Sequence, residues 1–174
     1  MNHAVYGIAN TTQQANAILE RLQKTGFLND DISVLFPDTQ GARDFAHERN
    51  TKAPEGAAAG GVAGLGVGGA IGLLAGIGAL AIPGVGPFIA AGPIMGALSG
   101  AAVGGAAGGL IGGLVGLGVP EFEAKRYEGK VRSGNILISV HTEDAKCRAR
   151  AKEILESAGA NDISSSGESS APRS

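Results

Sequence analysis

The apolar positions follow a different rhythm in each of three stretches of the chain. Near the start, His3-Ala-Val-Tyr-Gly-Ile-Ala9 is short and rich in β-formers, and Thr11-x-x-Gln14 follows in the capping-box pattern that opens a helix. Ala15, Ile18, Leu19 and Leu22 then fall at helical spacing on one stripe, and Gly26 suits the left-handed residue that ends it. Ile32, Val34 and Phe36 alternate, which predicts a strand over 31–36. The same grammar returns late in the chain. Ile136, Ile138 and Val140 alternate over 135–140, and Thr142 is placed to cap a helix whose first turn carries Glu143 and Asp144. Cys147, Ala151, Ile154, Leu155 and Ala158 keep helical spacing as far as Gly159, and Asn161-Asp-Ile-Ser164 repeats Asp30-Asp-Ile-Ser33.

Two such halves predict an α+β fold. The expected form is a split ferredoxin-like (β-α-β + β-α-β) domain, with four antiparallel strands and both helices on one face. Neither half can bury its apolar face alone, so the strands at 31–36 and 135–140 are expected to meet across everything between them.

The middle stretch has a third rhythm, with glycine at every fourth position. The first series is Gly56, Gly60, Gly64, Gly68, Gly72 and Gly76; the second is Gly92, Gly96, Gly100, Gly104, Gly108, Gly112 and Gly116. Period four lies near the helical 3.6 and far from the strand's two. Each interior glycine costs roughly 1 kcal/mol relative to alanine, whereas a broken helix in hydrocarbon leaves polar groups costing several each. The pattern therefore predicts a pair of glycine-zipper helices sheltered from water. Gly61–Ala81 and Ile94–Leu117 each supply the roughly 20 residues of a membrane span, with Pro83, Gly84, Gly86 and Pro87 as the hairpin turn.

Composition sharpens this division. Residues 56–120 contain no Asp, Glu, Lys, Arg or His, and hold 23 of the 30 glycines. Cations flank the run on both sides, Arg43, Arg49 and Lys52 before it and Lys125, Arg126, Lys130 and Arg132 after it, which places both flanks on the cytoplasmic face. No cleavable signal pattern precedes it. The expectation is a two-pass hairpin in the cell (inner) membrane with cytoplasmic N- and C-terminal parts. Small-xxx-small spacing lets helix backbones touch, within a chain and between chains, so the expected partners are the lipid bilayer and further copies in a homo-oligomer. The organisation read from sequence is 1–37 as the first half-domain, 38–55 a linker, 56–119 the glycine-zipper hairpin and 120–134 a juxtamembrane helix with Phe122, Tyr127 and Val131 inward. Residues 135–164 form the second half-domain and 165–174 a disordered tail.

At this level the chain resembles the bacterial low-temperature-induced and general-stress protein family. The resemblance rests on Gly26 to Leu35 with its Asp31-Ile-Ser-Val-Leu35, the stretch Gly78-Ala-Leu-Ala-Ile-Pro-Gly-Val-Gly-Pro87, Gly116-Leu-Gly-Val-Pro-Glu121, Tyr127-Glu-x-x-Val-x-x-Gly134 and Ile154-Leu-Glu156. It implies a stress-induced, membrane-associated protein and brings no catalytic motif.

The residues point the same way. Gly64-Leu-Gly-Val-Gly-Gly69 satisfies G-x-G-x-x-G but follows no predicted strand, so no nucleotide cofactor is expected. His3, His47 and His141 have no Cys or carboxylate at ligand spacing, and no metal is expected. Cys147 reads as a small core residue, and Arg148, Arg150 and Lys152 as a solvated helix face. A net charge of −2 argues against nucleic acid, no small-molecule substrate is evident, and no enzyme activity is expected. Three alternatives compete with the membrane oligomer. They are a pore, whose lumen would offer only the Ser99 hydroxyl; a soluble particle or filament whose hairpins bury one another; and a sensor using an open sheet face at Leu35, Leu137 and Ser139. If the zipper drives assembly, Gly68→Leu or Gly104→Leu should split the oligomer in mild detergent, measured by light scattering after gel filtration; unchanged mass would refute it.

Overall fold

The computed structural model describes residues 3–37, 78–82, 86–94, 98 and 109–167. In chain order the elements are β1 (His3–Ala9), α1 (Thr12–Thr25), a single 3-10 turn at Asn29–Asp31, β2 (Ile32–Pro37), β3 (Gly78–Ile82), β4 (Gly86–Ala91), α2 (Gly109–Gly116), α3 (Glu121–Arg132), β5 (Ile136–Thr142), α4 (Ala145–Ser157) and β6 (Asn161–Gly167). The fold is mixed α+β, built on an antiparallel sheet in the order β3-β4-β2-β5-β1-β6.

Helix α1 forms where the sequence places it. The Thr11 hydroxyl accepts the Gln14 backbone N–H at 3.1 Å, and Gln14 Oε1 accepts the Asn10 N–H at 2.8 Å. Gly26 ends the helix at φ 102°, with the Phe27 N–H reaching back to the Leu22 carbonyl. Ala15, Ile18, Leu19 and Leu22 are fully buried, as are Ala151 and Leu155 of α4. Both helices pack on the sheet face that carries Val5, Ile32, Val34, Ile136, Ile138 and Val140. Each buried Leu or Ile contributes roughly 1.5–3 kcal/mol. Strands β2 and β5 meet antiparallel, Ile32 opposite Val140 and Val34 opposite Ile138, as the split reading requires.

The uncharged run departs from its expected helices in three places. Residues 78–81, the end of the first predicted span, are strand: β3 pairs with β4, Ala79 opposite Ile89 and Ala81 opposite Pro87. Gly86 and Pro87 are thus strand residues, and the chain reverses between two strands instead of two helices. The cause is the outer edge of β2, whose N–H and C=O groups need partners; β4 supplies them from Val34–Ala91 to Pro37–Phe88. Pro87 lies just past that ladder, so its missing N–H costs the β2 pairing nothing.

The second departure is Gly92, which is not helical. At φ +83° it makes the bend after β4, so close to β2 that an added Cβ would collide with the Ile32 carbonyl. The third is α2, which does not stand apart: Leu110 and Leu114 are buried with Ile94 and Leu98 against the second sheet face. Among the described residues no helix is long and apolar enough to cross a membrane.

Smaller corrections follow the same logic. Helix α3 turns Ala124, Tyr127 and Val131, at i, i+3 and i+7, toward the sheet; Phe122 is off that stripe and 71% exposed. The second face is therefore covered by α3 and by Ile94, Leu98, Leu110, Leu114 and Val119, and is not open at Leu35, Leu137 and Ser139. The cap of α4 is Asp144, which accepts the Lys146 N–H at 2.8 Å, and Glu143 precedes the helix. Thr142 instead accepts the Asp144 N–H. Cys147 is half-buried and sits 3.8 Å from Asp144 Oδ2, outside the core. The expected tail begins later, because β6 runs on to Gly167 alongside His3. The linker at 38–55 lies outside the described residues.

Gly92 offers a direct check. Gly92→Ala combines a left-handed φ with a backbone collision and should cost about 3 kcal/mol or more. Gly26→Ala, with open space around it, should cost only about 1 kcal/mol. Urea unfolding of the two variants measures the difference.

Candidate functional site

Only some of the zipper glycines fall within the described residues. Gly56, Gly60, Gly64, Gly68, Gly72, Gly76, Gly96, Gly100, Gly104 and Gly108 lie outside them, as do Pro83 and Gly84. Gly92 serves the bend described above. Gly112 and Gly116 lie on α2 with their faces exposed, and a Cβ at Gly116 would meet nothing within 4 Å. The glycine that packs is Gly113, the second of a doubled pair: it is buried, and a Cβ there would sit 2.5 Å from Leu98 Cδ2. Gly113 thus admits Leu98 to the α2 backbone, the close approach expected of small residues, in the register next to the period-four series.

A second group was not anticipated as a set. On the face beneath α3, side chains from adjacent strands form a polar row. Ser33 of β2 stands opposite Ser139 of β5, Ser139 opposite Tyr6 of β1, and Tyr6 opposite Ser164 of β6. One step along the strands, Ala4 lies between His141 and Ser166. Ser33 and Ser139 are fully buried. The Ser33 hydroxyl accepts the Ile94 N–H at 3.1 Å, fastening the backbone just after β4 to the sheet. His141 Nε2 is 3.1 Å from Ser139 Oγ and 3.4 Å from Ser33 Oγ, and its ring meets Tyr6 edge-on at 6.5 Å.

Tyr127 closes the row from above. Its ring lies 6.0 Å from that of Tyr6, and its hydroxyl donates to the Asp162 carbonyl at 2.8 Å. With that proton committed, Ser164 Oγ at 2.6 Å is the donor to Tyr127 Oη. Burial, opposed by the Ser164 bond and reinforced by the nearby Glu123 and Asp162 charges, pushes the Tyr127 phenol up to about 12. Asp162 itself sits at φ 49°, with Arg126 at 3.5 Å and Lys130 at 3.7 Å from its carboxylate. On the outer side of α3, Lys125 and Glu121 pair at 2.8 Å, which lowers the carboxyl and raises the ammonium from their ordinary values.

The arrangement ties α3, β6 and the Ile94 backbone onto one sheet face through hydroxyl hydrogen bonds. Among the described residues no group of three or more His, Cys, Asp or Glu side chains gathers to hold a metal ion. His3 and His141 lie on neighbouring strands, while His47 and the Gly64–Gly69 motif fall outside the described residues. Arg150 and Lys152 are exposed, with Lys152 3.7 Å from Glu156, whereas Arg148 is half-buried. The sequence carried a signal for part of the row in the off-face parity of the strands: Ser33 and Ser139 each sit between apolar neighbours that face the opposite side, whereas Ser164 has Ile163 on one side and Ser165 on the other. Comparison with protein-family models, curated proteins and solved structures finds no match.

Tyr127→Phe removes the donor to Asp162 and should cost about 1–2 kcal/mol. A phenol raised above its unfolded value of about 10 contributes stability below that pH and loses it as pH rises through about 12. Alkaline unfolding curves should therefore show a loss across that window in the parent chain and a smaller one in Y127F.

Proposed function

We propose that this chain is a non-enzymatic, stress-related membrane protein that homo-oligomerises through glycine-zipper helices. In this reading it displays a split ferredoxin-like domain on the cytoplasmic side. The strand order β6-β1-β5-β2, with α1 and α4 on one face, supports the domain assignment. The observation that carries the assembly reading is the division of glycines on α2. Gly113 faces inward onto Leu98, while Gly112 and Gly116 of the period-four series face outward and are exposed. One register is used within the chain and the other is left for a neighbour. Crossing a bilayer as a two-pass hairpin requires Ile94, Leu98, Leu110 and Leu114 of the second arm to exchange the sheet for lipid.

A second reading has an observation of its own. Ile94, Leu98, Leu110 and Leu114 are buried on the chain's own sheet without lipid, and this supports the reading in which the uncharged run finds its shelter in protein, as in a soluble particle or filament whose hairpins bury one another. Washing the membrane fraction with alkaline carbonate separates the two: the membrane reading expects the chain to stay in the pellet with its oligomer intact, and release as a discrete soluble assembly would overturn it.

A further inference from the structure

Within the described residues, the outer corner where α2 hands over to α3 joins exposed apolar surface to cations. Val115 at the end of α2 is 43% exposed and Phe122 in the first turn of α3 is 71% exposed, although both neighbouring stripes are buried. Single exposed apolar residues are ordinary. Here, however, Phe122, Lys125, Arg126, Gly129 and Lys130 occupy i, i+3, i+4, i+7 and i+8, so one face of α3 carries an aromatic ring followed by cations. The Arg126 guanidinium lies 4.8 Å from the centre of the Phe122 ring. Lys125 pairs with Glu121, Arg126 and Lys130 with Asp162, and Glu123 is half-buried beside them, so the charged groups that this face exposes most fully are the cations Lys125, Arg126 and Lys130 and the carboxylate of Glu121. The corner also stands at the boundary where the 65-residue uncharged run gives way to charged sequence.

We propose that this corner contacts an anionic bilayer surface, with Phe122 and Val115 entering the interfacial layer and Arg126 and Lys130 meeting headgroup phosphates. An aromatic ring beside cations, on a helix that keeps its other face on protein, is the composition that binds such an interface. The site deepens the membrane reading above and rests on it. It revises the expected juxtamembrane helix with Phe122, Tyr127 and Val131 inward: Tyr127 and Val131 pack on the sheet, and Phe122 alone is left for the lipid.

The chain contains no tryptophan, so Phe122→Trp in the full chain introduces a single reporter. Leu28→Trp, at the 66% exposed loop between α1 and β2, is the control. With vesicles of phosphatidylglycerol and phosphatidylcholine in equal parts, F122W should shift its emission to the blue and be quenched by brominated lipid, and L28W should do neither. Lys130→Gln in the F122W background should weaken binding roughly fivefold. Cosedimentation without any F122W shift would overturn the corner while leaving the membrane reading standing; a carbonate-released chain that also fails to cosediment would overturn both. An equal response with phosphatidylcholine alone, or an equal shift in L28W, would overturn the charged, oriented contact. A shift that grows with protein concentration in the absence of vesicles would assign the corner to a second copy and overturn the lipid.

Discussion

Strand β2 completes its ladder only by pairing with a strand that arrives about a hundred residues later, and the rest of the structure is arranged around that closure. Until β5 lies beside β2, the apolar stripes of α1 and α4 have no common surface to cover. Once the two strands meet, Ile32, Val34, Ile138 and Val140 form one continuous floor, and six buried side chains from the two helices rest on it or on its neighbours. The closure also fixes both ends of the intervening segment to the same sheet. Within that segment, residues 78–82 and 86–91 take the strand geometry that the sheet offers.

That is why β3 and β4 exist. The edge of β2 away from β5 is a row of unmet backbone groups, and the returning chain is already nearby. Pairing there satisfies the backbone more cheaply than a glycine-rich helix in water could. Gly92 then has to turn the chain across the β2 backbone, where only a residue without Cβ fits, and the Ser33 hydroxyl takes the Ile94 N–H as the segment leaves. The second face is filled from the far end, by Leu110, Leu114 and then Tyr127 of α3. Most of its polar row is satisfied across elements, Ser33 to Ile94 and His141 and Ser164 to Tyr127, while the Ser166 hydroxyl is buried without a partner among the described residues.

The sequence made the helix-bearing face legible because its evidence was local and periodic. The Thr11 cap, the stripe ending at Leu22 and the αL glycine at 26 are each short-range signals, and the alternation in 32–36 and 136–140 specifies one face. The second face was harder, since Ser33, Leu35, Leu137 and Ser139 show no single preference, and what covers them comes from distant residues. The hairpin was readable in principle: the glycine series stops at Gly76 and resumes at Gly92, and the gap contains Ile82, Phe88 and Ile89, side chains that favour strands. A period of four on both sides made the gap look like a helical turn, because periodicity reports a helix without saying where it ends. In α3 the choice between Phe122 and Ala124 for the buried stripe was settled by register: 124, 127 and 131 lie on one line, and 122 does not.

The doubled glycines acquire a meaning from this register argument. A single series at period four winds around a straight helix by about 40° per step, so it cannot serve one flat partner for long. Placing a second glycine beside the first gives the helix two bare lines. On α2 the line through Gly113 is spent on Leu98 and the sheet, whereas the line through Gly112 and Gly116 faces away. Had the inward contact used Gly112 and Gly116, the period-four series would be exhausted within the chain and doubling would add only the entropic cost of extra glycine. Because it uses the neighbouring register, Gly112 and Gly116 remain on the surface of α2, and a second backbone is the kind of partner that so bare a surface fits best.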